Sequence, residues 1–197
     1  MSLPRGRPVA QSYRCEPDLV PPDAAAEGAL VARVMRGDVD ALGTVYTAFA
    51  PAAYAAAYRL TGERSDAEDV TQEVFVRLPR LLPGWDPSRG TLGPWLRRVA
   101  VRHALMRLRS GARKREVSVG AVAELLATRS DEPHDRLSIA AALRRLPDEQ
   151  RVVFLLKEVE GYSHAEIAIL LEISVRNSEV RLFRARQALR AHLGSCR

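Results

Sequence analysis

The chain has 197 residues, 47% hydrophobic and 27% charged, a balance that suits one or two soluble globular domains. Its formal net charge is +6, and all its basic residues except Lys114 and Lys157 are arginine, which favours a polyanionic partner. No apolar run approaches the roughly 20 residues of a membrane span, the amino-terminal stretch lacks an apolar signal core, and Cys15 and Cys196 near opposite ends make no disulfide framework.

Residues 1–23 are rich in Pro and Arg and read as a disordered extension. The cytoplasm is the default location. From residue 24 onward the periodicity is helical nearly throughout. The first predicted helix spans 24–36, with Gly37 as its stop. Asp38 caps the next, 39–60, whose apolar positions Leu42, Val45, Tyr46, Phe49 and Tyr54 recur at helical spacing; Pro51 predicts a kink or break inside it. Thr61-Gly62 ends it.

Ser65 and Glu68 have capping-box spacing. The helix they would open carries Val70, Val74, Phe75 and Leu78 on one face and ends near Pro79. Trp85 to Gly90 has the Pro and Gly placement of a turn. A long helix follows from Thr91 to about Ser110, with Pro94 tolerated in its first turn. Met106 shares a stripe with Leu92, Trp95 and Val99, which argues for Trp95 as a core residue. Between Trp85 and Arg115 there are nine basic residues and one acid, Asp86.

Residues 111–135 read as a linker that turns acidic at Asp131, Glu132 and Asp135, with at most a short helix at 121–127. A second unit follows. Leu137–Leu146 is one helix; Pro147 opens another at a favoured first position and Gly161 stops it. Ser163 and Glu166 form a second capping box, before a helix over 165–171. Ser174 caps a last helix to about Leu193. The division is therefore 1–23 extension, 24–113 first domain, 114–135 linker and 136–197 second domain, all-α in class.

Two helices joined by a tight turn, the second carrying five Arg and one Glu between Arg176 and Arg190, fit a helix-turn-helix. Side chains at the start of the second helix would meet base edges while flanking Arg neutralise phosphates. A plain helical hairpin with a solvated charged face fits the same pattern.

Two segments together resemble a known family. "LRRLPDEQRVVFLLKEVEGYSHAEIAILLEISVRNSEVRLFRARQALR" resembles the promoter-binding carboxy-terminal domain of extracytoplasmic-function sigma factors of the sigma-70 family. "SDAEDVTQEVFVRL" followed by "WDPSRGTLGPWLRRVA" resembles their sigma-two domain. The resemblance implies two helical domains on a flexible linker, no catalysis by the chain itself and no cofactor or metal. It implies binding to core RNA polymerase through its beta-prime and beta subunits, to promoter DNA and to an anti-sigma factor, by a chain that is a monomer when free.

By the same resemblance, Asp66, Glu68, Asp69, Gln72 and Glu73 match the face that docks on polymerase. Five acids between Glu63 and Glu73 against one Arg agree with a basic protein partner, although a solvated helix face would look alike. Trp85, Asp86, Ser88 and Arg89 match the loop that captures an unstacked base of the minus-10 element. Arg97, Arg98, Arg102 and His103, with Arg107 and Arg109, would follow the strand's phosphates. Ser174, Arg176, Asn177, Glu179, Arg181 and Arg184 match the face that reads the minus-35 element, with Arg176 and Asn177 foremost. The chain departs from the family at Arg102 and Met106, where Asn and Asp are common. It departs again at Glu172, where the turn has Gly, at Ser178, where an apolar residue is usual, and at Glu179, where Lys is.

Other functions find less footing. A stand-alone helix-turn-helix regulator would share the second unit but has no reason to carry the first. No Gly-rich phosphate loop, nucleophile motif or paired acid frame marks an enzyme. His164 on its capping turn reads as merely polar. His192 and Cys196 are four apart, but two ligands make no closed zinc site.

Overall fold

The computed structural model describes residues 24–111, 141–143 and 145–194. The extension 1–23, the linker 114–135 with the short helix expected in it, half of the expected 137–146 helix, and Cys15 and Cys196 lie outside the described residues. Among those described, every regular element is helical.

The first bundle is built on α2 (Val39–Thr61), flanked by α1 (Ala24–Met35), α3 (Arg64–Val76) and α5 (Leu92–Gly111), with one short turn, α4 (Leu78–Leu81), between. The Asp38 side chain caps α2 by accepting from the Ala41 amide at 3.0 Å. Gly62 closes it at φ 72°, a left-handed position that glycine takes without penalty. The buried face of α2 is largely alanine: Ala41, Ala53, Ala56 and Ala57 are almost fully enclosed. Such small side chains let α5 pack close with its own Ala100 and Ala104. Val70 and Val74 of α3 and Leu92 and Leu96 of α5 complete the core.

Two expectations about these helices are corrected. Pro51 does not interrupt α2, which is continuous through it. Losing one main-chain bond costs about 3 kcal/mol, and burial of Phe49, Ala50 and Ala53 on either side offsets that. Ser65 does not cap α3: the helix already includes Arg64, and Glu63 at the cap position makes no side-chain bond. Met106 is also half-exposed rather than part of the core stripe.

The second bundle contains α6 (Asp148–Phe154), α7 (His164–Leu171) and α8 (Val175–Gly194) around Leu143, Val153, Leu156, Ile167, Leu182 and Ala185. The predicted Ser163–Glu166 capping box forms in both directions. Past Phe154 the α6 helix widens into a π-helical stretch, Leu155–Val159, before Gly161 ends it at φ 76°. Such widenings redirect the side chains that follow, and the residue delivered is Glu160. It points across to the first bundle, where α2 and α5 supply its partners.

Candidate nucleic-acid interface

The segment before α5 is a tight, self-bonded loop. The Asp86 carboxylate accepts from the Ser88 amide at 2.9 Å and from the Ser88 hydroxyl at 2.7 Å. Those bonds, aided by nearby Arg89, hold its carboxyl below the usual range. The Trp85 indole donates to the Gly90 carbonyl at 3.2 Å, closing the loop. Gly90 sits at φ 140°, which side-chain-bearing residues rarely adopt.

Two contacts from behind fix where the loop rejoins α5. Glu27 of α1, fully buried, accepts from the Leu92 amide at 2.8 Å, filling one of the orphan donors of the α5 amino terminus. Gly93 lets the Phe49 ring approach: a Cβ there would lie 3.1 Å from it. The sequence gives no short-range sign of either contact.

Trp85 and Trp95 are both partly buried against the core. Each also lines an open cleft of about 590 Å³. Asp86, Arg89, Arg98 and Arg102 line it from the first bundle, and Tyr162, Glu166, Ile169 and Leu170 from the second. Trp95 is therefore core on one side and cleft wall on the other. Arg98 lies over the Tyr162 ring, 5.2 Å from its centre, a cation–π geometry. Burial pushes the Tyr162 phenol up to about 12.

The basic residues expected to follow phosphates divide into groups. Arg102 is exposed. Arg97, Arg98 and Arg109 are engaged with the second bundle. Two others pair with side chains of α3. His103 is only 8% exposed, with Nδ1 3.7 Å from Glu73 of α3. Arg107 donates to Asp66 at 2.8 Å and to Asp69 at 2.6 Å; its hydrogen bond to Asp66 raises it above the ordinary guanidinium value.

The acidic face of α3 divides as well. The Asp66 carboxylate is nearly buried beside Arg107. Glu68, Asp69, Gln72 and Glu73 lie on the outside, Glu73 paired with Arg77 at 2.9 Å and Glu68 loosely with Arg64.

In the second bundle, Ser174 accepts from the Asn177 amide at 3.1 Å and opens α8. Arg176, Asn177, Glu179 and Arg184 are exposed along α8. Arg181 is tied to Glu149 at 2.7 Å and is less accessible. The two departures in the turn have physical accommodations. Glu172 adopts φ 56°, the left-handed conformation a Gly would take more cheaply. Ser178 is fully buried, and its hydroxyl lies 2.9 Å from His164 Nδ1, so a polar pair joins α7 to α8 where apolar contact is usual. His164 is thus more than a surface polar residue.

Two family models match the chain: Sigma-70 region 2 over residues 45–114 and Sigma-70 region 4 over 136–189. The chain is 35% identical over 147 residues to the ECF RNA polymerase sigma factor SigE of Mycolicibacterium smegmatis, covering 71% of this chain and 56% of that protein. It is 27% identical over 181 residues to ECF RNA polymerase sigma factor SigW of Bacillus subtilis, covering 83% of this chain and 94% of the relative. The structure of CnrH in complex with the cytosolic domain of CnrY is similar at TM-score 0.52 and 29% identity, covering 88% of this chain and 99% of that one. The sigma factor RpoE, solved with the anti-sigma factor NepR from Bartonella quintana, shares the fold at TM-score 0.53 and 19% identity, covering 79% of this chain and 98% of that one. Both halves are matched in order, and the chain belongs to the extracytoplasmic-function group of the sigma-70 family of RNA polymerase sigma factors.

Proposed function

We propose that this chain is an alternative sigma factor that binds core RNA polymerase and directs promoter-specific initiation. Glu68, Asp69, Gln72 and Glu73 dock on a basic face of the beta-prime subunit. The Trp85–Gly90 loop, with Arg98 and Arg102 beside it, takes a flipped base and holds the adjoining phosphates of the minus-10 strand. Arg176 and Asn177 at the start of α8 meet base edges of the minus-35 duplex, and Arg184 adds a phosphate contact. The chain supplies positioning and binding energy, and polymerase performs the chemistry. It acts in the cytoplasm, where polymerase and chromosome are.

The observation that carries this reading is the self-bonded Trp85–Gly90 loop at the edge of a cleft lined by Trp95, Arg98 and Arg102. An unstacked base needs an aromatic platform and a nearby cation, and a regulator that reads only duplex DNA has no use for one. The relative RpoE is held by an anti-sigma factor, which makes such an inhibitor the expected further partner. The test is a titration of the fluorescently labelled chain with purified core RNA polymerase. Saturable binding supports the reading; promoter binding without core association would replace it with a stand-alone regulator.

A further inference from the structure

One residue of α8 opposes the charge of the rest of that helix. Between Val175 and Gly194 the helix carries five arginines and a single acid, Glu179. The ordinary reasons for an acid in a helix do not apply to it. It is exposed, so it completes no core. It lies past the first turn, where the helix dipole that favours a carboxylate has faded. Its neighbours at i−4, i+3 and i+4 are Val175, Leu182 and Phe183, which carry no charge. Among the described residues it makes no ion pair, not even with Arg176 one turn back. The flanks of α8 are treated differently. Arg181 and Arg186 are neutralised by Glu149 at 2.7 Å and Glu158 at 2.6 Å, acids of the same bundle. The outward face keeps Arg176, Glu179, Val180, Phe183 and Arg184, all exposed, with Phe183 at 67%.

We propose that Glu179 selects a cytosine in the minus-35 duplex, accepting a hydrogen bond from its N4 amine at the base pair that Arg176 meets or the one beside it. The proposal rests on the function argued above and names the base that its duplex-reading face chooses. A carboxylate brought among phosphates is repelled, so it must find a donor at the groove floor or weaken every complex. The major groove offers two donors, cytosine N4 and adenine N6. Adenine N6 lies between two acceptors, its own N7 and thymine O4, and both repel a carboxylate. Cytosine N4 stands at the edge of its pair, with an acceptor, guanine O6, on one side only. The guanine of that pair in turn presents O6 and N7 to a guanidinium. Residues three apart on a helix have Cβ atoms about 5–6 Å apart, so Arg176 and Glu179 reach one base pair or two neighbours stacked about 3.4 Å apart. Val180 and Phe183 sharpen the choice. Seated in the groove, these apolar side chains exclude water beside Glu179, and a carboxylate dried without a donor is heavily penalised. A wrong base therefore costs more than one lost bond.

The test is a selection from duplexes randomised over the minus-35 region, made with the full chain alone and bound to core RNA polymerase. The enriched sequences are read for the parent, Glu179→Gln and Glu179→Arg; both replacements are good helix formers at an exposed position. The parent should enrich a sequence with an invariant cytosine, and changing that base pair should lower its affinity about ten-fold or more. Glu179→Gln should shift that one position toward adenine, whose N6 and N7 a carboxamide can pair with, and Glu179→Arg should shift it toward guanine. Enrichment without an invariant cytosine overturns the proposal, as does a cytosine preference that survives both substitutions. An equal rise in the affinity of Glu179→Gln for every sequence also overturns it, because Glu179 is then only a charge that repels phosphate. So does the lack of any common sequence in either form. Core affinity titrated on the same proteins separates the two ideas. Its absence in every protein defeats the sigma-factor reading, while selection by the chain alone still decides whether Glu179 chooses the base.

Discussion

Arg59 on α2 donates to Glu160 at 2.7 Å across 101 positions of sequence, and both side chains are almost wholly withdrawn from water. This contact ties the amino-terminal bundle to the carboxy-terminal one at the exit of the π-helical stretch. It also places Tyr162 against α5 with Arg98 over its ring.

Tyr162 reports on that closure by titration. Burial raises its pKa, Glu160 and Glu166 add to the rise, and Arg98 and Arg102 oppose it, leaving it at about 12. A folded pKa above the unfolded value near 10 means the contribution to stability is whole below pH 10. It is lost as pH climbs from 10 toward 12. Ultraviolet difference titration should show one of the five tyrosines ionising late in the native chain and earlier in Glu160→Gln. Uniform ionisation near pH 10 in the native chain would contradict the buried, covered phenol.

Gln72 is exposed on the acidic face of α3, so Gln72→Arg should leave folding within about 0.5 kcal/mol of the parent. Against a basic docking surface the added charge should weaken core binding about ten-fold or more. Equal core affinity by fluorescence titration would remove this face from the docking surface.

Arg176→Ala should cost about 1–3 kcal/mol on the cognate minus-35 duplex if the guanidinium makes a bidentate base contact. The same measurement on scrambled duplexes should show a much smaller loss. Equal losses on every sequence would reduce Arg176 to a phosphate contact.

Trp85 serves the loop through its bond to Gly90 and would serve the flipped base through its ring. Trp85→Ala should slow promoter opening more than it weakens the closed complex, with a stacking loss of about 1–3 kcal/mol. Trp85→Phe, which retains an aromatic face, should recover most of the rate. Normal opening kinetics in Trp85→Ala would exclude base capture at this residue.

Glu27 is buried, and its Oε2 accepts from Leu92 while Oε1 has no partner among the described residues. Glu27→Ala strands the Leu92 amide and should cost about 1–3 kcal/mol, visible as a drop in Tm. Glu27→Gln retains an acceptor and should lose less. An unchanged Tm for the Ala variant would mean the contact contributes nothing to the fold.

Local signals carried much of this structure. Gly62 and Gly161 stop helices because the left-handed position follows from the residue itself, and the Ser163–Glu166 box needs only four consecutive residues. The same local rule failed at Ser65, which lies inside α3 rather than at its cap, since the helix begins at Arg64. The all-α class and the helix-turn-helix were legible from periodicity for that reason. Long-range pairings were not. Glu160 looks like any acid at a helix end, and nothing nearby points to Arg59 or Arg97. His103 neighbours Arg102 in sequence but faces Glu73, since one step along a helix turns a side chain by about 100°. Ser178 read as a departure until its hydroxyl met His164. The exposure of Arg176 and Asn177 was legible because they lie at the start of α8, which Ser174 caps.

Run-off transcription with purified core RNA polymerase tests the central claim most directly. Added to core with genomic DNA fragments from its own organism, the chain should produce discrete transcripts whose start sites share paired minus-35 and minus-10 sequences, and Trp85→Ala and Gln72→Arg should each reduce them. Transcription that does not depend on the chain, or start sites sharing no such pair, would contradict the account.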